Sequence, residues 1–337
     1  MKLVVLGAGS FGSAMAIHAS GIGHEVVLWC RRKEQACGIA ASGENPDYIK
    51  GVRLPSGIRA TADLHEALSS SDWIVFAVPT QSLRSLAEEI SCLGVEGRKL
   101  HILNLAKGIE IGTGRFPHRI LGELLSGARY CALSGPSHAE EVARGMPTAL
   151  VAAASDEADA VAWQEILNDN RLRVYTSKDV VGVEIGGAMK NVIAIAVGVA
   201  RAIRFGDNSV AAIATRGLAE IMRYGVLAGA NPLTLAGLAG IGDLMATCYS
   251  RHSRNLRFGM AVGEGKSASE AASEIGQVVE GMHTVRALVL LARKKDIELP
   301  ISEGVYKVLY ENAKIKDILT ELLFRDPKPE IQTTDIV

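Results

Sequence analysis

The sequence predicts an α/β protein in which an N-terminal, doubly wound sheet is followed by an all-helical C-terminal domain. Three observations carry that expectation. Short, nearly unbroken apolar runs alternate with helical patterns through the first half of the chain. A glycine-rich turn joins the first two elements. After Tyr175 the strand-like runs cease, and long Ala-, Gly- and Leu-rich segments follow with apolar residues at helical spacing.

Lys2–Leu6 is a β-prone stretch that feeds Gly7-Ala8-Gly9-Ser10-Phe11-Gly12 and then an Ala-rich helical run to Ile17. Glu25–Trp29, set off by Gly21 and Gly23, is the second strand and completes a βαβ unit. Ile58–Thr61 reads as a short strand. Residues 72–78 form a near-continuous apolar run ending at Pro79, as expected of a strand buried on both faces of a parallel sheet. Residues 80–91 look helical. The alternation continues with a strand over 100–105, a helix over 115–125, a strand over 130–133, a helix over 137–144 and a strand over Thr148–Ala153. The first segment of the helical domain, 180–205, is long enough for a central helix, and Gly186, Gly187 and Ala188 let neighbouring helices approach it closely. The expected division is therefore a dinucleotide-binding, Rossmann-type domain over 1–177 and a helical substrate domain over 178–325. A flexible tail over 326–337 begins at Asp326-Pro327-Lys328-Pro329.

Composition sets outer limits. A length of 337 residues suits two domains, and 48% hydrophobic with 22% charged residues is ordinary for a soluble globular protein. The formal net charge of −1 gives no electrostatic case for nucleic acid or an acidic membrane surface. Five widely spaced cysteines without a CxxC pair read as reduced thiols of a cytosolic protein, and no metal-ligand set is present. Met1 leads straight into the first strand, which argues against a signal peptide. The longest unbroken apolar or glycine run, 192–200, is short of the ~20 residues that cross a bilayer. A cytoplasmic protein without membrane insertion is expected.

The glycine loop assigns each glycine a physical task. Gly7 makes the tight turn, Gly9 lets a pyrophosphate approach the backbone, and Gly12 lets helix and strand pack closely. The helix start at Ser10 and Phe11 offers N–H groups and the positive end of the helix dipole, so a dinucleotide is expected there. At the end of the second strand, where NAD-selective sites often carry a carboxylate, stand Cys30-Arg31-Arg32. Two guanidiniums suit a 2′-phosphate or stack on adenine, which favours NADP(H) and leaves NAD(H) possible; Arg32 fits a solvated strand end equally well.

Ligands of such sheets gather beyond the carboxyl ends of the strands. That directs attention to 78–81, to Lys107 beside Gly108, and to Ser134-Gly135-Pro136-Ser137-His138-Ala139. Lys107 there either reaches into the cleft or is a solvated charge. Lys190-Asn191 lies in the helical domain, where Lys190 shares a stripe with Val183, Gly187, Ala194 and Val197, an apolar face on which a lysine either snorkels outward or serves a site. A desolvated lysine near a second cation has its pKa lowered toward that of a general base. Ser253 fits as the N-cap of a helix bearing Arg254 and Asn255 in its first turn. That makes either an anion site for a phosphorylated substrate or a capped helix with a surface arginine.

Taken together, GAGSFGSA, the LAKGIE run around Lys107, SGPSHAEEVARGMPTAL from Ser134, AMKNVIAIAVG around Lys190, GDN from Gly206, TRGLAEI from Thr215, GDLMATC from Gly242 and SRNLRFG from Ser253 resemble the NAD(P)-dependent glycerol-3-phosphate dehydrogenases of bacterial type. The resemblance implies reversible hydride transfer between NAD(P)H and dihydroxyacetone phosphate, giving sn-glycerol 3-phosphate for glycerophospholipid synthesis, in a homodimer. It implies Lys190 as proton acceptor and donor, with Asn191, Asp243 and Thr247 orienting it or the reacting oxygen. It further implies substrate contacts from Lys107, Gly135, Ser137, Ser253, Arg254 and Asn255. Cofactor contacts are implied for Ser10, Phe11, Arg31, Lys107, Ala139, Arg254, Val278 and Glu280. Where the family often has a lysine two residues after GDN, this chain has Val210. The rival within enzymes is a β-hydroxyacid or ketopantoate-type reductase, which shares the two-domain plan but lacks a need for the phosphate turn.

Overall fold

A computed structural model describes residues 1–330 other than Val95, Glu96, Arg325 and Lys328. The chain forms two compact units. One holds Met1–Ala106 and Pro117–Val180, and the other holds Lys107–Phe116 and the chain from Val181 onward. The second unit thus begins close to the expected boundary at residue 178. It also takes in ten residues, 107–116, that sequence order placed in the first.

The first unit contains strands β1 (Lys2–Leu6), β2 (Glu25–Trp29), β3 (Glu44–Asn45), β4 (Ile49–Arg53), β5 (Ile58–Thr61), β6 (Trp73–Phe76), β7 (His101–Asn104), β8 (Arg129–Ser134), β9 (Thr148–Ala153) and β10 (Leu172–Ser177). Its helices are α1 (Ser10–Gly21), α2 (Lys33–Ser42), α3 (Leu64–Leu68), α4 (Leu83–Cys92), α5 (Pro117–Leu124), α6 (Ala139–Ala143) and α7 (Glu157–Leu167). Eight strands form one sheet in the order β10-β9-β8-β7-β6-β1-β2-β5, and β3 and β4 form a separate antiparallel pair. From β5 to β8 every pairing is parallel, with the order reversing beside β1 as a doubly wound sheet requires. Successive residues of β1 point to opposite faces. Leu3 and Val5 join one buried cluster with Leu28 and Val75, whereas Val4 and Leu6 join another with Val27 and Phe76.

Two features depart from simple alternation. β9 runs antiparallel to β8, with the short helix α6 between them. After this five-residue helix the chain re-enters the sheet from the end at which it left. β10 then pairs parallel to β9 at the sheet edge, after an eleven-residue helix that does make the return. Sequence reading ended the strands at β9 because β10 alternates: Leu172 and Val174 are buried while Arg173 and Tyr175 face out. Continuous apolar runs mark central strands only.

The second unit is helical: α8 (Val180–Ala202), α9 (Asp207–Leu227), α10 (Pro232–Leu235), a π-helical turn (Leu238–Gly242), α11 (Asp243–Tyr249), α12 (Arg254–Gly263), α13 (Ala268–Ile275), α14 (Glu280–Lys294), α15 (Pro300–Tyr310) and α16 (Ile315–Leu323). α8 is the hub. By length and mean hydropathy of 1.6 it could cross a membrane, yet 89% of its most apolar window is buried inside the protein, so it reads as a core helix. An unbroken-run test on the sequence passes over this helix because Glu184 and Lys190 interrupt it. Glycines let α12 lie against it: a Cβ on Gly198 would stand 2.2 Å from the Leu256 carbonyl oxygen, and one on Gly259 2.1 Å from that of Ile195. Val210, at the position where a lysine was the family expectation, is buried in this core. Of the expected tail, Asp326, Pro327, Pro329 and Glu330 are described, and the Glu330 carbonyl accepts a bond from Arg216; 331–337 lie outside the described residues.

Candidate active site

In the first unit, the loop between β1 and α1 is shaped as its glycines require. Gly7 adopts φ +116°, and a Cβ there would stand 2.7 Å from the Ala77 carbonyl oxygen. A Cβ on Gly12 would meet the Gly7 carbonyl oxygen at 2.0 Å. At Gly9 the Cβ direction is open for 4 Å, and Gly9, the N-cap of α1, caps it without a side chain. Ser10 and Phe11 stand in the first turn of α1, the helix end whose N–H groups and dipole favour an anion. Two side chains brace the loop from behind. Asn45 donates to the Ala8 carbonyl at 2.9 Å and to Ser13 Oγ at 2.8 Å, and Gln35 donates to the same Ala8 carbonyl at 2.8 Å. Neither was singled out from sequence, because Asn45 lies in the short β3–β4 hairpin whose folding back onto the loop no local pattern announces.

Beyond β2, Cys30 is buried, with burial pushing its thiol up to about 11, while Arg31 and Arg32 are exposed. Arg32 lies 3.4 Å from Asp47 in the hairpin turn, an exposed pair of little energetic weight. Gly135 adopts φ +132° with its Cβ direction closed by Ala149 and Leu150, and Ser137 Oγ donates to the Gly135 carbonyl at 3.0 Å. Ala139 opens α6, which packs against α1. The glycine loop and the 135–139 turn therefore belong to neighbouring helices of one unit.

The second unit gathers Lys107, Lys190 and Thr247 around one carboxylate. Asp243, 1% exposed at the start of α11, accepts from Lys190 at 2.5 Å on one oxygen and from Lys107 at 2.7 Å on the other. Lys190 also donates to Thr247 Oγ1 at 2.8 Å, and Thr247 donates to the Asp243 carbonyl at 2.7 Å, one helical turn back. The apolar stripe on α8 is real, and Lys190 does not snorkel: it is 8% exposed and held by the α11 pair. Burial lowers its pKa from 10.5 to about 8; Asp243 opposes that shift and the Lys107 charge assists it. Burial by itself would raise the Asp243 carboxyl, but the two ammonium groups outweigh it and keep it below the usual carboxylate range. Cys248, next on α11, is pushed up to about 12 by burial and so stays a neutral thiol.

Beside the lysines lies a second network. Ser253 Oγ accepts from the Leu256 N–H at 3.2 Å and caps α12 as expected. Asn255 donates to Asn191 Oδ1 at 2.8 Å and accepts from the Gly281 N–H at 2.9 Å, and Arg254 donates to the Val278 carbonyl at 3.0 Å. The start of α12 thereby fastens both the α8 helix and the Val278–Gly281 stretch, with Glu280 in the first turn of α14. Gly281 is required there, since a Cβ would stand 2.7 Å from the Asn191 carbonyl oxygen and 2.8 Å from Asn255 Oδ1. Spacing leaves Ser253, Arg254 and Asn255 as either an anion turn or a capped helix with a surface arginine; the link from Asn255 to Asn191 spans 64 residues and is visible only in the fold.

Comparison with known proteins gives one consistent result. Residues 2–160 match the family described as NAD-dependent glycerol-3-phosphate dehydrogenase N-terminus, and residues 179–320 match the corresponding C-terminus. A glycerol-3-phosphate dehydrogenase [NAD(P)+] of Chlorobium limicola is 45% identical over 334 residues, covering 98% of this chain and 100% of that protein. The crystal structure of glycerol-3-phosphate dehydrogenase from Coxiella burnetii superposes with a TM-score of 0.93 at 35% identity, covering 96% of this chain and 99% of that one. A ketopantoate reductase from Ralstonia eutropha gives a TM-score of 0.61 at 17% identity over 96% of this chain and all of its own, a likeness of fold alone.

Proposed function

The chain belongs to the NAD-dependent glycerol-3-phosphate dehydrogenase family, and from that premise we propose that it interconverts dihydroxyacetone phosphate and sn-glycerol 3-phosphate with Lys190 as the proton-transfer group. A nicotinamide dinucleotide, which the glycine loop with Ser10 and Phe11 would hold, would supply or accept the hydride when bound. The chain's own residues do the rest. In alcohol oxidation Lys190 Nζ takes the hydroxyl proton as the hydride leaves the carbinol carbon; in ketone reduction the ammonium returns that proton to the oxygen as the hydride arrives. Asp243 and Thr247 hold Nζ in place, Asn191 orients the neighbouring helix face, and the Lys107 charge stabilises the developing oxyanion.

The glycine loop fits a dinucleotide: Gly9 leaves the approach open, and Ser10 and Phe11 present the helix start. Arg31 and Arg32 favour a 2′-phosphate, hence NADP(H) over NAD(H), and Arg31 is the stronger candidate because Arg32 is drawn to Asp47. Ala139, Val278, Glu280, Lys107 and Arg254 are the remaining cofactor candidates. Gly135, Ser137, Ser253, Arg254 and Asn255 are assigned to the phosphorylated substrate. A homodimer acting in the cytoplasm and feeding glycerophospholipid synthesis is the setting that the family resemblance supports.

The observation that carries this reading is the buried Lys190, paired to Asp243 and Thr247 and facing a second cation. Side-by-side assay with dihydroxyacetone phosphate, unphosphorylated dihydroxyacetone and a 2-ketoacid, each with NADPH and NADH, tests it. Turnover is expected with the phosphorylated ketone, faster with NADPH. Turnover of the ketoacid alone sinks the assignment, and equal rates with both cofactors remove the role given to Arg31.

A further inference from the structure

Lys107–Phe116 follows β7 in the chain but is built into the helical unit. Ile109 is fully buried in the core of that unit, with Ile111 and Phe116 packed against the same cluster. Between them the chain closes on itself: the Glu110 N–H donates to the Arg115 carbonyl at 2.9 Å, the Gly114 N–H to the Glu110 carbonyl at 3.0 Å, and Thr113 bonds the Glu110 carboxylate. Gly114 adopts φ +69° against α14, where a Cβ would stand 2.7 Å from Leu291 Cδ2. Two residues before the buried anchor, Lys107 reaches Asp243. Two residues of extended chain span only about 7 Å, so the seat of Ile109 limits where the Lys107 backbone can lie.

We infer that 107–116 is a strap of the helical unit whose anchors, Ile109 in the core and Gly114 against Leu291, are positioning residues that hold the Lys107 ammonium on Asp243. The inference rests on the reading of Lys190 as the proton acceptor. The groups facing Lys190 are Asp243, Thr247 and Cys248 from α11 and Lys107 from the strap. Of these, Lys107 is the cation, and it pushes the Lys190 proton off. Slackening the strap withdraws that charge, so Lys190 keeps its proton to higher pH.

The test is the pH dependence of kcat for glycerol 3-phosphate oxidation by the full-length protein at saturating NADP+. Ile109→Ala is expected to lower kcat and to move the rising limb to higher pH. The shift should be a fraction of that caused by Lys107→Met, which is about one unit. In the Lys107→Met background Ile109→Ala should add no further shift, the signature of action through Lys107. Gly114→Ala disturbs the other end of the strap without emptying the core and should move the limb the same way; Ile109→Val keeps the anchor and should leave it in place. A limb unmoved in both Ile109→Ala and Gly114→Ala, or an equal shift with and without Lys107, overturns the strap. Failure of the premise looks different, because Lys190→Ala would then retain turnover.

Discussion

Lys190 shows how one residue acquires chemistry from its surroundings. Alone on the α8 stripe it is a buried cation with an unfavourable hydration loss, and burial pushes it toward the neutral form. Asp243 restores some of the lost stabilisation, and Lys107 takes some of it away, so the group sits near pH 8 rather than 10.5. Two consequences follow for the rate. With Lys190 as the proposed proton-transfer group, oxidation needs the neutral amine and should rise as pH increases through about 8, whereas reduction needs the ammonium and should fall over the same range. Lys190→Ala should cost about 10²- to 10⁴-fold in kcat while leaving NADPH affinity nearly unchanged. Profiles of kcat against pH in both directions, with a cofactor titration of the variant, check these outcomes. The lysine itself is legible in the sequence, since a charged residue on an apolar helical face stands out. Its partner is not marked by any local pattern, since Asp243 lies 53 residues away on a different helix; the family resemblance alone pointed to it.

At the level of elements, the β1–loop–α1 unit is written locally, and its three glycines occupy the geometry their spacing demands. What stiffens the loop is not local. Asn45, in the β3–β4 pair, holds the Ala8 carbonyl and Ser13, and Gln35 of α2 holds the same carbonyl. Asn45→Ala removes two buried bonds together with the one that Asn45 accepts from Gln35 at 3.4 Å, and leaves the Gln35 bond to the Ala8 carbonyl in place. We expect NADPH to bind about two- to tenfold more weakly, with kcat at saturating cofactor close to normal. Fluorescence titration of the purified variant measures this, and an unchanged affinity would show that Gln35 alone braces the loop. The central strands were equally legible, being continuous apolar runs. β10 and the reversed direction of β9 were not, for an edge strand alternates and a strand's own residues do not record its direction in the sheet.

For the molecule as a whole, stability of the helical unit is tied to a buried acid. Glu220 of α9 accepts from the N–H groups of Ile301 and Ser302 and from the Ser302 hydroxyl, capping the start of α15 from within the core. Burial raises its pKa from 4.5 to about 7 despite those donors and the nearby Arg223. Below about 4.5 both folded and unfolded chains are protonated at this group. Between about 4.5 and 7 the folded chain keeps a proton that the unfolded chain has released, so this contribution to stability declines as pH rises and is lost above about 7. Glu220→Gln should remove that slope, at the cost of one acceptor at the helix start. Thermal unfolding of both proteins from pH 5 to 8 tests it, and parallel curves would mean that Glu220 titrates elsewhere. α8 belongs to the same scale: its length and hydropathy suit a bilayer, and only the helices packed around it identify it as a core element.

The order of amino acids is enough to establish the α/β class, the glycine-rich turn after β1, the succession from sheet to helices and the residue types at the candidate site, because each rests on spacing along a few turns or strands. Tertiary structure alone decided which of those residues meet. It brought Lys107 and Lys190 onto the Asp243 carboxylate, set Asn45 behind the glycine loop, and took 107–116 out of the unit that precedes it in the chain. Periodicity records which face of an element is buried, whereas a pairing across tens of residues depends on how elements pack, and packing leaves no local mark.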